Sequence, residues 1–269
     1  MSDFQLIETM RWEPGAGIVR LALHMARLKR SAGRLGFLGA EKAEDHLAEA
    51  IAEALPPSVP SGHLPHKGGD YSSLQQAQGA TSNEIASPAI SPLVGEMPDR
   101  ADGGKALHAT GTSSLFPLRV RLTLDSAGEI DITTTPFTPL PTDTIWTVRL
   151  AKTRLSSADP LLRHKTSRRA VYEAARAEYS GNEAQEVLLL NEHGAPCEGT
   201  ITSIFLDDGS GILKTPPIAC GLLAGVLRTE MICARRARVE RFSLGDLRKG
   251  KLYMGNSLRG LIACEILSA

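Results

Sequence analysis

The segment Leu118-Arg-Val-Arg-Leu-Thr-Leu124 alternates apolar and polar side chains without a break, the period of a strand with one buried face. The turn Asp125-Ser-Ala-Gly128 and the run Glu129 to Thr135 follow, so the pair predicts a hairpin. Upstream, Phe4 to Arg11 is compatible with a strand and Gly15-Ala-Gly17 with a turn. From Ile18 to Leu35 the period changes: Leu21, His24, Met25, Leu28 and Ala32 fall at i, i+3, i+4, i+7 spacing and predict one helix face. On that stripe His24 reads as a packed histidine. A second helix is predicted from Glu41 to Leu55, stopping at Pro56-Pro57.

Residues 57–113 break this order. They are rich in Ser, Gly, Pro, Ala and His and hold neither period, which counts against their belonging to a core. The run Ser91-Pro-Leu-Val-Gly-Glu-Met-Pro-Asp-Arg-Ala-Asp-Gly-Gly104 looks like a translated dispersed repeat, so 57–113 reads as an insertion in a mobile surface loop. Beyond the hairpin, Thr144 to Leu150 predicts a strand and 151–164 a connector. A helix is predicted around Arg169 to Tyr179, an apolar strand at Glu186 to Leu190 and a turn at Asn191 to Gly194. Further strands are predicted at Ser203 to Leu206, Leu252 to Met254 and Ile262 to Ile266, with a helix from Gly225 to about Arg236. Strands outnumber helices and no βαβ series is long enough for a doubly wound sheet, so the class is α+β.

Composition narrows the functions. Lys+Arg and Asp+Glu stand at 30 each in 269 residues, so no global field draws in nucleic acid or an anionic membrane surface. An anionic ligand must be held by local groups. The four cysteines, Cys197, Cys220, Cys233 and Cys264, form no C-x-x-C pair and have no histidine partners in sequence. That argues against a zinc site or any other metal centre and fits a reducing cytoplasm. No signal peptide and no apolar run of membrane-spanning length is expected.

Four blocks carry the chemistry. Arg163-His-Lys-Thr-Ser-Arg-Arg-Ala-Val-Tyr172 places a lysine just before a helix, alone an ordinary setting for a solvated lysine. Val187 to Phe205 holds Glu198 in a Glu-Gly-Thr context. Thr215-Pro-Pro-Ile-Ala-Cys-Gly-Leu-Leu-Ala-Gly-Val-Leu-Arg228 leads into a helix, whose first N–H groups and positive dipole end suit a phosphate. Tyr253-Met-Gly-Asn-Ser-Leu-Arg-Gly260 ends a strand in small polar residues.

In that order these blocks resemble the class IV aminotransferase family of pyridoxal-phosphate (PLP) enzymes: branched-chain and D-amino-acid aminotransferases and aminodeoxychorismate lyases. Ile7-Glu-Thr-Met-Arg11 and His24-Met-Ala-Arg-Leu-Lys-Arg-Ser31 are similar to the family's Phe-Glu-Thr and His-x-x-Arg-Leu-x-x-Ser segments. The resemblance covers nearly everything outside 57–113. It implies a D-amino-acid aminotransferase-like fold with PLP in a cleft between two domains. A small N-terminal α/β domain would span 1–150, with 151–164 as connector, and a larger mixed-sheet pseudo-barrel domain 165–269.

The resemblance also implies roles. Lys165 is the catalytic lysine that carries PLP and moves protons, and Glu198 faces the pyridine nitrogen. Arg27, the backbone at Val226 and Leu227, and Ser257 hold the phosphate. Tyr172, Asn256 and Arg259 are the implied substrate contacts. A homodimer acting on a small amino substrate is expected, since family members are typically homodimers.

Where branched-chain enzymes have a tyrosine five residues after the lysine, this chain has Ala170. Of the Asn-Arg pair common in D-amino-acid aminotransferases and lyases, Arg168-Arg169 keeps only the arginine. Glu8-Thr-Met-Arg-Trp-Glu-Pro-Gly15, Cys220-Gly-Leu-Leu-Ala-Gly-Val-Leu-Arg228 and Gly255-Asn-Ser-Leu-Arg-Gly260 most resemble the aminodeoxychorismate lyase-like domain of folate pathways. The implied reaction releases pyruvate and 4-aminobenzoate. A class IV aminotransferase acting on D- or branched-chain amino acids and a non-catalytic relative are the alternatives. Family members usually carry a further segment with Asp-Arg-Gly-Leu before the first strand, and this chain starts at that strand. A reduced or altered activity is among the expectations for that reason.

Overall fold

The computed structural model describes residues 4–55 and 116–267, and these belong to one compact unit. The insertion expected at 57–113 lies outside the described residues. Two sheets organise the chain. The first is antiparallel, in the order β2-β1-β3-β4, from β1 (Leu6–Glu13), β2 (Gly17–Ile18), β3 (Leu118–Leu124) and β4 (Ile130–Pro136). The helices α1 (Leu21–Leu35) and α2 (Ala43–Ala54) pack on it. Leu6, Met10 and Trp12 of β1 and Leu118, Val120, Leu122 and Leu124 of β3 turn one face toward Met25, Leu28 and Ala32 of α1 and Leu47 of α2. This is the burial that the alternation of β3 and the 3.6 period of α1 require. α1 begins at Leu21 rather than at Ile18, because Gly17–Ile18 pairs with β1 and Arg20 bends into left-handed backbone at φ 63°.

The second sheet is mixed and has eight strands. Its members are β5 (Ile145–Leu155), β6 (Glu186–Asn191), β7 (Pro196–Gly199), β8 (Ser203–Asp207), β9 (Leu213–Thr215), β10 (Ala237–Val239), β11 (Lys251–Asn256) and β12 (Gly260–Ile266). The order is β10-β9-β8-β11-β12-β5-β6-β7, and β7 also pairs with β8. Strands β8, β11, β12, β5, β6 and β7 therefore close on themselves. The closing pair is Glu198 opposite Ser203. Closure leaves β10 as the open edge, and it brings Glu198 to a seam in the backbone. Helix α3 (Ala170–Ala177) falls between β5 and β6 in the chain, α4 (Val226–Cys233) between β9 and β10, and α5 (Leu244–Lys249) between β10 and β11.

Strand β5 runs five residues past the expected end at Leu150, so the division expected at 150 falls inside a strand and the expected connector 151–164 begins as strand. The reason is a register shift between Leu150 and Arg154. Within it the amides of Lys152 and Thr153 donate to the Glu178 carboxylate at 2.5 and 2.8 Å instead of to β6. Such a bulge destroys the alternation by which a strand is read. Among the described residues no helix is long and apolar enough to cross a membrane, and no group of three or more His, Cys, Asp or Glu is placed to hold a metal ion.

Candidate active site

The lysine block is stitched to the first sheet. Ile7 N–H donates to the Lys165 carbonyl at 2.8 Å, Leu6 bridges Thr166, and Ser167 N–H donates to the Gln5 carbonyl at 2.9 Å. Next to it, His164 Nδ1 lies 2.9 Å from Ser31 Oγ on α1. Lys165 thus belongs by chain to the second half and by hydrogen bonding to β1. Its side chain is half-buried. Burial, with Arg169, Arg27 and Arg121 nearby, outweighs the attraction of Glu8 and lowers the amine to about 7. An amine at that value is partly neutral at physiological pH and can act as a nucleophile or proton carrier.

Behind the lysine, α1 turns three polar side chains onto an apolar face. Glu8 occupies an inward position of β1 between Leu6 and Met10 and is 1% exposed. Its carboxylate accepts from Arg27 Nε at 2.8 Å and Nη2 at 2.5 Å, and its Oε2 lies 2.6 Å from His24 Nδ1. His24 Nε2 in turn lies 2.8 Å from Ser257 Oγ. Burial alone would raise the Glu8 carboxyl, but Arg27 and His24 hold it down at about 2. A charge this deep persists only when paired. Arg20 completes the corner, donating to Glu230 of α4 at 2.8 Å and to the Ser257 carbonyl at 3.2 Å.

Glu198 is 5% exposed. Tyr172 Oη donates to its Oε1 at 2.7 Å and Leu223 N–H to its Oε2 at 3.1 Å. Burial lifts it to about 7, against the lowering pull of those bonds and of Lys165 and Arg169. Each oxygen keeps lone-pair capacity for a further donor. The amides of Val226 and Leu227 open α4 and have no acceptor among the described residues, as the first turn of a helix leaves them. Gly225 precedes them where a Cβ would come within 2.5 Å of Ser203 Oγ. A side chain there would have to turn the Ser203 hydroxyl aside.

Of the expected site residues, Lys165, Arg27 and Glu198 are brought into electrostatic reach of one another through the lysine. Ser257 is joined to Arg27 through His24 and Glu8. The expected substrate contacts behave differently. The Tyr172 hydroxyl is given to Glu198, and its ring lies 5.0 Å beneath the Arg169 guanidinium. Asn256 donates to the Ile201 carbonyl at 3.2 Å and accepts from the amides of Leu258 and Arg259, which makes it the organiser of its own turn. The Arg259 guanidinium lies 6.0 Å over Trp146.

The sequence reading gave no site role to Glu8, quoted only within a motif, or to His24, taken only as a packed histidine: charged or polar groups on faces otherwise apolar, each needing the other. Arg121 was passed over as well, and Arg169 was noted only as the arginine kept from the Asn-Arg pair. Arg121 stands on the polar side of the alternating strand β3, and only the fold turns that side toward Lys165.

The profile of the amino-transferase class IV family matches residues 96–266. A search of curated proteins finds no match. Among solved structures, a protein from Mesorhizobium loti, provisionally assigned as an amino-acid aminotransferase, is 37% identical. The alignment covers 98% of this chain and 100% of that one at a TM-score of 0.73. The 4-amino-4-deoxychorismate lyase of Pseudomonas aeruginosa is 18% identical, with 98% and 83% covered and a TM-score of 0.63. The branched-chain aminotransferase of Thermoproteus uzoniensis is 17% identical, with 98% and 78% covered and a TM-score of 0.65. The last two likenesses establish the fold.

Proposed function

This chain belongs to the class IV aminotransferase family, and we propose that within it the chain is a PLP-dependent lyase of the 4-amino-4-deoxychorismate type, releasing pyruvate and 4-aminobenzoate for folate synthesis. The observation that most supports PLP chemistry of either kind is the pairing of a lysine amine lowered to about 7 with a buried carboxylate raised to about 7 that still has free lone pairs. The lyase within it rests on the resemblance of Glu8–Gly15, Cys220–Arg228 and Gly255–Gly260. The residues present fit the cofactor. Among the described residues two α4 amides lack acceptors, and Arg27 has Nη1 donors left after Glu8 has taken Nε and Nη2. These and Ser257 would hold a phosphate, a match of fixed donors to a dianion. Glu198 would face the ring nitrogen. When bound, the cofactor supplies an electron sink for the carbon beside the substrate nitrogen.

The protein's part is to move protons and to orient. Lys165 Nζ, partly neutral, takes the proton from that carbon and returns one where the reaction needs it. Arg121 and Arg169 keep Nζ from holding its proton too tightly. In this reading the enzyme is a cytoplasmic homodimer.

A second reading is an aminotransferase acting on D- or branched-chain amino acids; the Mesorhizobium loti relative, provisionally an amino-acid aminotransferase, favours transamination without naming the substrate. Pyruvate release from 4-amino-4-deoxychorismate without any 2-oxo acid separates the two. The lyase is expected to release it, and Lys165→Ala to be slower by about a thousandfold or more. No release from a protein that shows the visible absorbance of lysine-bound cofactor moves the assignment to the aminotransferase. Absence of that absorbance marks a non-catalytic relative.

A further inference from the structure

The corner made by Glu8, His24 and Ser257 has a proton-counting problem. Glu8 is ionised and carries no hydrogen, so the hydrogen in its 2.6 Å contact with His24 sits on Nδ1. If His24 is neutral, Nε2 is bare. The 2.8 Å contact with Ser257 must then be filled by the serine hydroxyl donating to Nε2. Ser257 would present only lone pairs to a ligand, the wrong polarity for a phosphate. If His24 takes a second proton on Nε2, that nitrogen donates instead and the Ser257 hydrogen is released toward the ligand.

We infer that Glu8 and His24 are positioning residues of the phosphate site: they set which way the Ser257 hydroxyl points, so that a phosphate monoester gains its hydrogen bond only as His24 takes up a proton from solvent. The inference rests on the PLP reading of the site, and the residues concerned reach the ligand only through Ser257 and Arg27. The groups facing His24 are Glu8 on β1, Arg27 on α1, Arg20 just before it and Ser257 after β11. Glu230 on α4 is paired with Arg20. Burial and the two arginines depress His24 while Glu8 alone raises it, so the ligand-free protein holds it neutral. A dianion at Ser257 adds a second negative neighbour and reverses the balance. Glu8 also grips Arg27 through Nε and Nη2, which aims the remaining donors of the same guanidinium. One carboxylate thereby fixes the two side chains expected to touch the phosphate.

The test uses pyridoxine 5′-phosphate, which has no aldehyde and cannot bond to Lys165, with pyridoxine as the phosphate-free control. Calorimetric titration at about pH 8, where the free monoester is already a dianion, is run in two buffers of different ionisation enthalpy to count protons. The wild type should take up close to one proton more per site than His24→Gln. That variant should bind the phosphate ester roughly tenfold to a hundredfold more weakly, with pyridoxine binding unchanged. Equal uptake by the two proteins, with equal affinity, overturns the inference. No preference of the wild type for the phosphate ester overturns the PLP reading itself, and the inference with it. Should His24→Gln fail to fold, nitrogen-15 NMR of wild-type His24 decides: Nε2 must be bare without ligand and protonated with it. An Nε2 in the same state in both spectra sinks the proposal.

Discussion

Glu186 and Glu198 are both buried carboxylates on adjoining antiparallel strands of the second sheet, and their surroundings differ in one respect. Glu186 is fully buried and accepts five hydrogen bonds, from the amides of Val187, Thr200 and Ile201 and the hydroxyls of Thr200 and Thr202, at 2.6 to 3.2 Å. Glu198 accepts two. The first carboxylate has its lone pairs filled by the chain that follows Glu198, and what it does is hold that chain. Its loop ends in Ser203, the residue opposite Glu198, and offers the Thr200 carbonyl to Arg169 at 2.6 Å. The second is left short of donors, which is why burial can raise it to about 7. A saturated buried charge builds the fold; an unsaturated one keeps capacity for a ligand.

Removing Glu186 should have the largest effect. Glu186→Gln retains one acceptor oxygen for five donors and faces several of them with an amide, so the cost in stability is about 3 kcal/mol or more. The denaturant midpoint, read at unchanged slope, measures it. A cost below about 1 kcal/mol together with a collapse of activity would place Glu186 in the chemistry and erase the distinction.

The opposite profile is expected of Glu198→Gln. Turnover should fall on the order of a hundredfold if Glu198 faces the ring nitrogen as proposed, since that charge is then lost, while the cofactor-free protein keeps its stability. Its pH dependence sharpens the contrast. A carboxyl raised in the folded state contributes stability that is full below its unfolded value near 4.5 and lost as pH rises through about 7. Lys165, lowered to about 7, contributes in the other sense: its stability is present above 10.5 and lost as pH falls through 7. The cofactor-free wild type should therefore be least stable near neutrality, by on the order of 1–2 kcal/mol. Glu198→Gln should flatten the acid side of that minimum and Lys165→Ala the alkaline side. Denaturant midpoints across pH 4.5 to 10 check this, and a curve that Glu198→Gln leaves untouched would break the assignment.

How much of this was legible depends on where burial is one-sided. β3, β4 and helix α1 were readable because each turns a single face to one core, so period and polarity agree. β1 alternates poorly, with Ile7 buried on one face and the charged Glu8 on the other, and was only compatible with a strand. β6 is buried at all six positions and shows only an apolar run. β7, Pro-Cys-Glu-Gly, is buried throughout with no pattern at all and went unread. α5 was missed although Ser243 and Asp246 form a capping box, a signal that lay in plain sequence. At the site, Lys165 and Glu198 were found through the motifs that surround them rather than through their own neighbours. His24 was read correctly as buried, but its partners, Glu8 sixteen residues before it and Ser257 far beyond, are joined to it only by the packing of α1. Arg121 needed the fold outright.

Tyr172 gives the smallest effect and the finest test. From the family resemblance it was a candidate substrate contact; in the structure its hydroxyl supplies one of the two donors to Glu198 among the described residues. Tyr172→Phe keeps the ring under Arg169 and removes that donor. The carboxyl should then rise further, so that less of it is ionised at pH 7 and turnover drops roughly tenfold. Raising the pH should restore much of the loss, because the carboxylate ionises again, and KM should hardly move. Glu198→Gln, with no carboxyl to titrate, should show no such recovery. If instead Tyr172→Phe raises KM at every pH and leaves kcat alone, the hydroxyl meets the substrate. Glu198 would then owe its low donor count to chance rather than to a place kept for a ligand.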